Sequence, residues 1–187
     1  MAEVTNEPDP RLLGAYLTDH LTGAAAGVDL ARRIAREHRD MPAGPALADM
    51  AADIAQDRAV LIQIMSDLGV PRRRHAFLLG RLAEKVGRLK PNRRLWRRSP
   101  MSSVVELESL WLGVNGKSRL WRTLRSAAIE DDRLEAGFLD HLCDRAKAQA
   151  DAIEALRLRA VEEAFAFPAR TRGHGRTGGR TGGRANG

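Results

Sequence analysis

Four polar side chains occupy positions that the helical periodicity of their segments places on a buried face. They are an imidazole, a carboxylate, an ammonium group and an amide on four separate stretches: His20, Asp57, Lys117 and Gln149. Charged groups are rarely buried without a partner, because removing them from water is unfavourable. The pattern therefore makes these four side chains candidates for a shared buried polar cluster.

Two interpretations of this cluster follow from the residue types. In the functional one, the cluster holds a small ligand, moves a proton, or binds one metal ion through His20 and Asp57, with Fe or Mn as the metal. In the structural one, Asp57 and Lys117 form an ion pair that fixes the register of two helices, with His20 hydrogen-bonded nearby. The structural interpretation is the favoured one, and no catalytic residue is assigned.

The segment AYLTDHLTGAAAG around His20 carries two glycines four positions apart. Each glycine destabilises a helix interior by about 0.5–1 kcal/mol relative to alanine. Close approach of a second helix would compensate for this, so we expect Gly23 and Gly27 to form a close-packing face; the less favoured alternative is that they line a ligand pocket. Asp19 directly precedes His20, and adjacent helical residues point about 100° apart, so the two are not expected to act as a unit.

Apolar residues recur at steps of three and four along most of the chain, which predicts four long helices and no strand. The first spans about 11–38 and the second about 46–68, with Gly69 and Pro71 as stop signals. The third begins with a capping box of Ser103 and Glu106 and continues to about residue 128. The fourth follows the acidic run at 130–132, which suits a helix N-terminus, and continues to about 165.

About thirty residues, 71–100, separate the two predicted hairpins. This length can carry the chain from one end of a bundle to the other. We therefore expect an all-α, ferritin-like four-helix bundle with a long crossover between helices 2 and 3. The predicted domain plan is a flexible N-terminus at 1–10, a helical bundle at 11–167 and a disordered Arg/Gly-rich tail at 168–187.

Positive charge is concentrated in the crossover and the tail. The net charge of +7 divides into −5 for residues 1–70, +10 for 71–98, −3 for 99–167 and +5 for 168–187. Arginine binds phosphates and tryptophan stacks on bases, so nonspecific nucleic acid is one partner to consider. The alternative, which is favoured, is neutralisation by the acidic helices. The nucleic-acid candidates are Arg72, Arg73, Arg74, Arg93, Arg94, Trp96, Arg97 and Arg98.

Several function classes are disfavoured by composition. The single cysteine, Cys143, excludes an internal disulfide and a thiolate metal cluster. The first residues lack a basic segment followed by an apolar one, and no stretch reaches the roughly 20 apolar residues of a membrane span. The expected location is the cytoplasm, with no membrane partner. Trp111 or Trp121 could form a homodimer face if exposed.

The hairpin–crossover–hairpin plan resembles the ferritin-like superfamily. More closely, YLTDHLTGAAAGVDLARR and LGVNGKSRLWRTL are similar to a family of small helical proteins from high-GC bacteria, over roughly residues 10–165. Neither motif carries an assigned chemistry. The ferritin-like resemblance implies a di-iron site with two Glu-x-x-His units, and this chain contains no Glu-x-x-His.

The sequence therefore predicts a ferritin-like bundle with a non-enzymatic binding or stress-associated function and no complete di-iron site. One alternative is a nucleic-acid-binding protein that uses the basic crossover and the Arg/Gly tail. The other is a metal-dependent oxidoreductase with a mononuclear site at His20 and Asp57.

Overall fold

The computed structural model of the chain describes residues 10–70 and 100–165. Within these ranges the chain forms four helices and no strand: α1 (Pro10–Glu37), α2 (Gly44–Asp67), α3 (Pro100–Ala127) and α4 (Ala136–Phe165). The predicted all-α class and the number of long helices are confirmed for this part of the chain. Most of the predicted crossover, the predicted flexible N-terminus and the predicted tail lie outside the described residues.

Side-chain contacts show that α1 runs antiparallel to α3. Near the start of α1, Tyr16 Oη lies 3.2 Å from Thr123 Oγ1, which is near the end of α3. Near the end of α1, Arg33 forms a 3.0 Å ion pair with Glu106, which is near the start of α3. The short loop after α1 also makes α1 and α2 antiparallel neighbours. It follows that α2 and α3 run parallel.

The second hairpin is antiparallel along its whole length. Arg125 Nε donates to Asp140 Oδ1 at 2.8 Å near the loop, and Arg157 Nη1 lies 3.6 Å from Glu108 Oε1 at the other end. These contacts align α4 with α3, so that every helix can contribute one face to a shared core.

The end of α2 matches the prediction from the sequence. Gly69 has a φ of +70°, the left-handed conformation that glycine adopts without steric penalty. Its N–H donates to Ser66 O at 3.0 Å, and Val70 N–H donates to Met65 O at 2.9 Å. This is the hydrogen-bond pattern of the Schellman motif, which terminates a helix.

The predicted capping box at the start of the third helix is wrong, and the acidic run does not form the N-terminus of the fourth. Ser103 is not an N-cap, because α3 already begins at Pro100; its hydroxyl instead lies 3.4 Å from His38 Nε2. The acidic run at 130–132 lies in the loop before α4. Glu135 caps α4, since its carboxylate accepts from the backbone N–H groups of Gly137, at 2.9 Å, and of Phe138.

The apolar core consists of two clusters, one towards each end of the bundle. The first contains Ile34, Leu47, Ile54, Leu107, Val114 and Ile153 among others. The second contains Leu17, Leu21, Leu61, Trp121, Leu139 and Ala146 among others. Between the two clusters lies a layer of polar residues that includes Asp57 and Gln149.

The buried face of α1 differs from the predicted one in its middle. Thr18 and Thr22 are buried there, and each hydroxyl donates to the carbonyl oxygen four residues earlier, at 2.7 and 2.8 Å. His20 and Gly27, which were expected on the buried stripe, are only half-buried. The physical reason is that the threonines satisfy their own polar groups and can enter the core, which turns His20 towards an opening between helices.

Candidate functional site

Three of the four predicted polar residues lie in one layer between the two apolar clusters. On α2, Asp57 lies between Ile54 of the first cluster and Leu61 of the second. Lys117 on α3 and Gln149 on α4 likewise lie between members of the two clusters. Asp57 is 2% exposed and Gln149 is 6% exposed. The layer therefore interrupts the hydrophobic core with charged and amide groups.

The predicted ion pair between Asp57 and Lys117 is present. Lys117 Nζ donates to Asp57 Oδ2 and also to Gln149 Oε1. A fourth residue completes the network, because Arg145 Nη2 donates to the second oxygen, Asp57 Oδ1. One buried carboxylate is thus shared by two cations from α3 and α4, and three helices are joined through it.

Arg145 was not predicted from the sequence. It follows the buried Leu142 by three positions and precedes the buried Gln149 by four, which is a spacing compatible with the same helix face. A long basic side chain can bury its stem while its guanidinium reaches a partner. This spacing was the available signal, but the stripe of Leu142, Ala146 and Gln149 already accounts for the inward face of α4 without Arg145.

Burial acts on the ionisation of Lys117. Removal of the ammonium group from water lowers the pKa of Lys117 below its usual value of 10.5, while the neighbouring Asp57 carboxylate opposes this shift and Arg145 adds to it. Since burial is the largest contribution, the net effect favours the neutral form of Lys117 relative to a lysine in water.

His20 lies apart from this network. Its ring packs edge-to-face against Tyr16, with the ring centroids 4.5 Å apart, and within the described ranges it forms no hydrogen bond to Asp57 or Lys117. The expectation that His20 is hydrogen-bonded near the ion pair is therefore wrong. Partial burial lowers the pKa of His20 below 6.5, and the charge of Asp19 opposes that effect.

The residues at this layer do not fit the metal site considered from the sequence. Both oxygens of Asp57 accept hydrogen bonds from cationic side chains, so a metal ion would have to displace Lys117 or Arg145 and would then lie beside their positive charges. In the described part of the chain, no three His, Cys, Asp or Glu side chains are grouped so that they could hold a metal.

His20, Asp57 and Lys117 nevertheless share one feature, because all three line a cavity of about 340 Å³ between α1, α2 and α3. We call this the central cavity. The antiparallel register of α1 and α3 places Gly23 opposite Gly116 and Gly27 opposite Gly113 across it, and all four glycines line it. At these four positions, therefore, neither α1 nor α3 places a side chain between the two helices.

The expected close packing of Gly23 and Gly27 is wrong. A Cβ atom added at either glycine, or at Gly113 or Gly116, would meet nothing within 4 Å. On α1 the residue between the two core clusters is Ala24, which is too small to fill the layer. Because these glycines have no side chains, an open space remains between α1 and α3, and the two helices do not pack closely at this height.

The central cavity combines apolar walls with a few polar groups. Its aliphatic and aromatic walls come from the buried residues Ile54, Leu61, Leu110, Val114, Leu120 and Trp121. Its rim includes the exposed residues Asp19, Gly23, Ser109 and Gly113, so the cavity is reached from solvent. Sites for small molecules have this composition and volumes of about 300–1,000 Å³.

The remaining predicted site residues lie outside the described part of the chain, so nucleic-acid binding stays a prediction. They are Arg72, Arg73, Arg74, Arg93, Arg94, Trp96, Arg97 and Arg98. No described helix is long and apolar enough to cross a membrane.

Of the two tryptophans considered for a dimer face, Trp121 is 1% exposed and Trp111 is half-buried. Trp121 therefore belongs to the core.

Comparisons with protein-family models, with curated proteins and with solved structures found no match to this chain. Its function is therefore inferred from its own geometry.

Proposed function

We propose that this chain is a non-enzymatic, ferritin-like helical bundle that binds a small organic molecule in the central cavity. The observation that carries the proposal is the pairing of four glycines across an open space, at positions where larger side chains would fit without a clash. Glycine in a helix interior is destabilising. A binding function explains why the space is left open, because filling it would exclude the bound molecule.

The parallel directions of α2 and α3 support the ferritin-like topology. Two helices that follow one another in the chain and run parallel need a connection from one end of the bundle to the other, and the 29 residues at 71–99 are long enough to provide it. Among helical bundles, one long crossover between two hairpins is typical of ferritin-like folds.

The polar layer supports binding rather than catalysis. Asp57, Lys117, Arg145 and Gln149 bond to one another, and a general base or nucleophile needs a free lone pair directed at its substrate. A mutually paired network instead gives the cavity a rigid polar end, which suits recognition of a ligand.

Ligand-observed NMR of the full chain with a library of small organic fragments tests this proposal. Gly27→Leu and Gly113→Leu place a branched side chain in the cavity, whereas Ala26→Leu adds the same side chain at an exposed position of α1. We expect fragments that bind the wild type and Ala26→Leu but not the two glycine variants. If every fragment that binds the wild type also binds Gly27→Leu and Gly113→Leu equally, the central cavity is not the binding site.

A further inference from the structure

The central cavity is elongated along the helix axes. On α3 its lining extends from Ser109 to Trp121, and on α1 it extends from Asp19 to Gly27. At a rise of about 1.5 Å per residue, these stretches correspond to lengths of about 18 Å and about 12 Å. A volume of about 340 Å³ spread over such a length leaves a narrow cross-section. The cavity therefore suits a long, unbranched molecule better than a compact one.

The charged residues that line the central cavity balance one another. Asp19 and Asp57 are acidic, and Arg58 and Lys117 are basic. The remaining titratable group of the lining is His20, and partial burial lowers its pKa, which favours the neutral imidazole. The lining therefore attracts neither an anion nor a cation through its net charge.

The buried charges at the polar layer are also engaged with one another. Both carboxylate oxygens of Asp57 accept hydrogen bonds from cations, and Lys117 Nζ donates to Asp57 and to Gln149. Behind the lining, Arg145 and Asp53 contribute one further charge of each sign. A charged ligand would lose its hydration here without meeting a net opposite charge, which is strongly unfavourable.

We propose that the central cavity binds an uncharged, elongated aliphatic molecule that lies along the helix axes between the glycine-bearing walls of α1 and α3. This inference rests on the proposed function and adds the chemical class and the orientation of the ligand. Leu110 and Val114 belong to the first apolar cluster and Leu61 to the second, and all three line the cavity. The hydrocarbon chain thus contacts both clusters, and burial of its apolar surface supplies the binding free energy.

Isothermal titration calorimetry with three probes of equal chain length tests the exclusion of charge on the full chain. The probes are decanol, decanoate and decyltrimethylammonium, each below its micelle-forming concentration. We expect decanol to bind about tenfold more tightly than either charged probe, because burial of an uncompensated charge opposes binding. Asp19→Asn removes one negative charge from the lining and should reduce the difference between decanol and decanoate about threefold. Asp29→Asn, at an exposed position of α1 outside the lining, is the matched control and should leave that difference unchanged.

A series of neutral alcohols from hexanol to decanol tests the orientation of the ligand. If the chain lies along the helix axes inside the cavity, each added methylene is buried, and the affinity should rise about fourfold per methylene. In Gly27→Leu this increment should become smaller, because the leucine side chain blocks part of the length. Ala26→Leu, at an exposed position of α1, should keep the increment of the wild type.

Three results would overturn the inference. Binding of decanoate or decyltrimethylammonium as tightly as decanol would show that the cavity does not exclude charge. Equal affinities for hexanol and decanol would show that the ligand does not lie along the helix axes. In both cases the proposed function stands and the ligand class is wrong. Absence of binding by every alcohol would reject an aliphatic ligand, while the fragment experiment with Gly27→Leu and Gly113→Leu decides separately whether the cavity binds any other molecule.

Discussion

The carboxylate of Asp57 and the ammonium group of Lys117 form a buried ion pair between two parallel helices, 60 positions apart in the chain. Arg145 occupies the other carboxylate oxygen from α4. One acidic side chain therefore holds two cations from different helices, and each helix has a single register in which the contact forms. A bundle shifted by one turn would leave charges buried without partners, which is strongly unfavourable.

Replacing Asp57 should be more damaging than replacing either cation. In Asp57→Ala, Lys117 and Arg145 both lose their carboxylate partner, and we expect the free energy of unfolding to fall by about 3–5 kcal/mol. In Lys117→Met, Arg145 still neutralises Asp57, so the loss should be smaller. Urea unfolding followed by circular dichroism measures both values. A larger loss for Lys117→Met than for Asp57→Ala would show that the carboxylate is not the centre of the network.

Adding methyl groups inside the central cavity should stabilise the free protein. At Gly27 and Gly113 a Cβ atom meets nothing within 4 Å, so alanine gains its helix propensity without a clash. We expect each substitution to raise the free energy of unfolding by about 0.5–1 kcal/mol.

Gly44 provides the contrasting control, since an added Cβ there would lie 2.5 Å from Arg39 O, and Gly44→Ala should be destabilising. Thermal unfolding of the three variants measures this series. Lower melting temperatures for Gly27→Ala and Gly113→Ala would mean that the space between α1 and α3 is already filled in the native protein.

The contribution of His20 to stability should depend on pH. Burial lowers the pKa of His20 in the folded state below the value of 6.5 of an unfolded chain, so the unfolded state takes up its proton first as the pH falls. This contribution is fully present above about pH 6.5 and is lost as the pH decreases towards the folded-state pKa.

Urea unfolding of the wild type and of His20→Gln between about pH 7.5 and 5.5 measures this effect. We expect the wild type to lose stability relative to His20→Gln over that interval. A wild type that gains stability relative to the variant on acidification would indicate a favourable partner for the imidazolium, and would contradict the burial of His20 beside the cavity.

Removing the carboxylate that caps α4 should destabilise the second hairpin. Glu135 accepts hydrogen bonds from two backbone N–H groups at the start of α4, and loss of such a cap lowers stability by about 0.5–2 kcal/mol. Glu130→Ala, in the preceding loop, is the matched control because it removes an exposed carboxylate outside the helix end. Equal effects of Glu135→Ala and Glu130→Ala on the melting temperature would contradict the capping role.

The polar layer was largely predictable because helical periodicity decides which residues face inward. The spacing of Asp57 between Ile54 and Leu61, and of Lys117 between Val114 and Trp121, is visible in the sequence, and the predicted ion pair is confirmed. Arg145 was missed because a basic residue beside an apolar stripe is usually solvated, and only the three-dimensional position of Asp57 distinguishes it.

The central cavity was not predictable, because glycine gives the same signal for two opposite arrangements. Gly23 and Gly27 allow a helix to approach closely, but they also leave an opening when the facing helix has glycines at the same height. The facing pair, Gly113 and Gly116, lies about ninety positions later in the chain, and their alignment depends on the register of α1 and α3. Local sequence does not contain that register.

The most direct test of the central claim is an amide ¹H–¹⁵N NMR titration of the full-length chain with decanoate and, separately, with decanol. Glycine amides are resolved in such spectra, so Gly23, Gly27, Gly113 and Gly116 report on the cavity from both walls. We predict that the largest saturable shifts with at least one probe occur at these four amides and disappear in Gly27→Leu. Saturable shifts confined to other surfaces, or none with either probe, would contradict a binding site between α1 and α3.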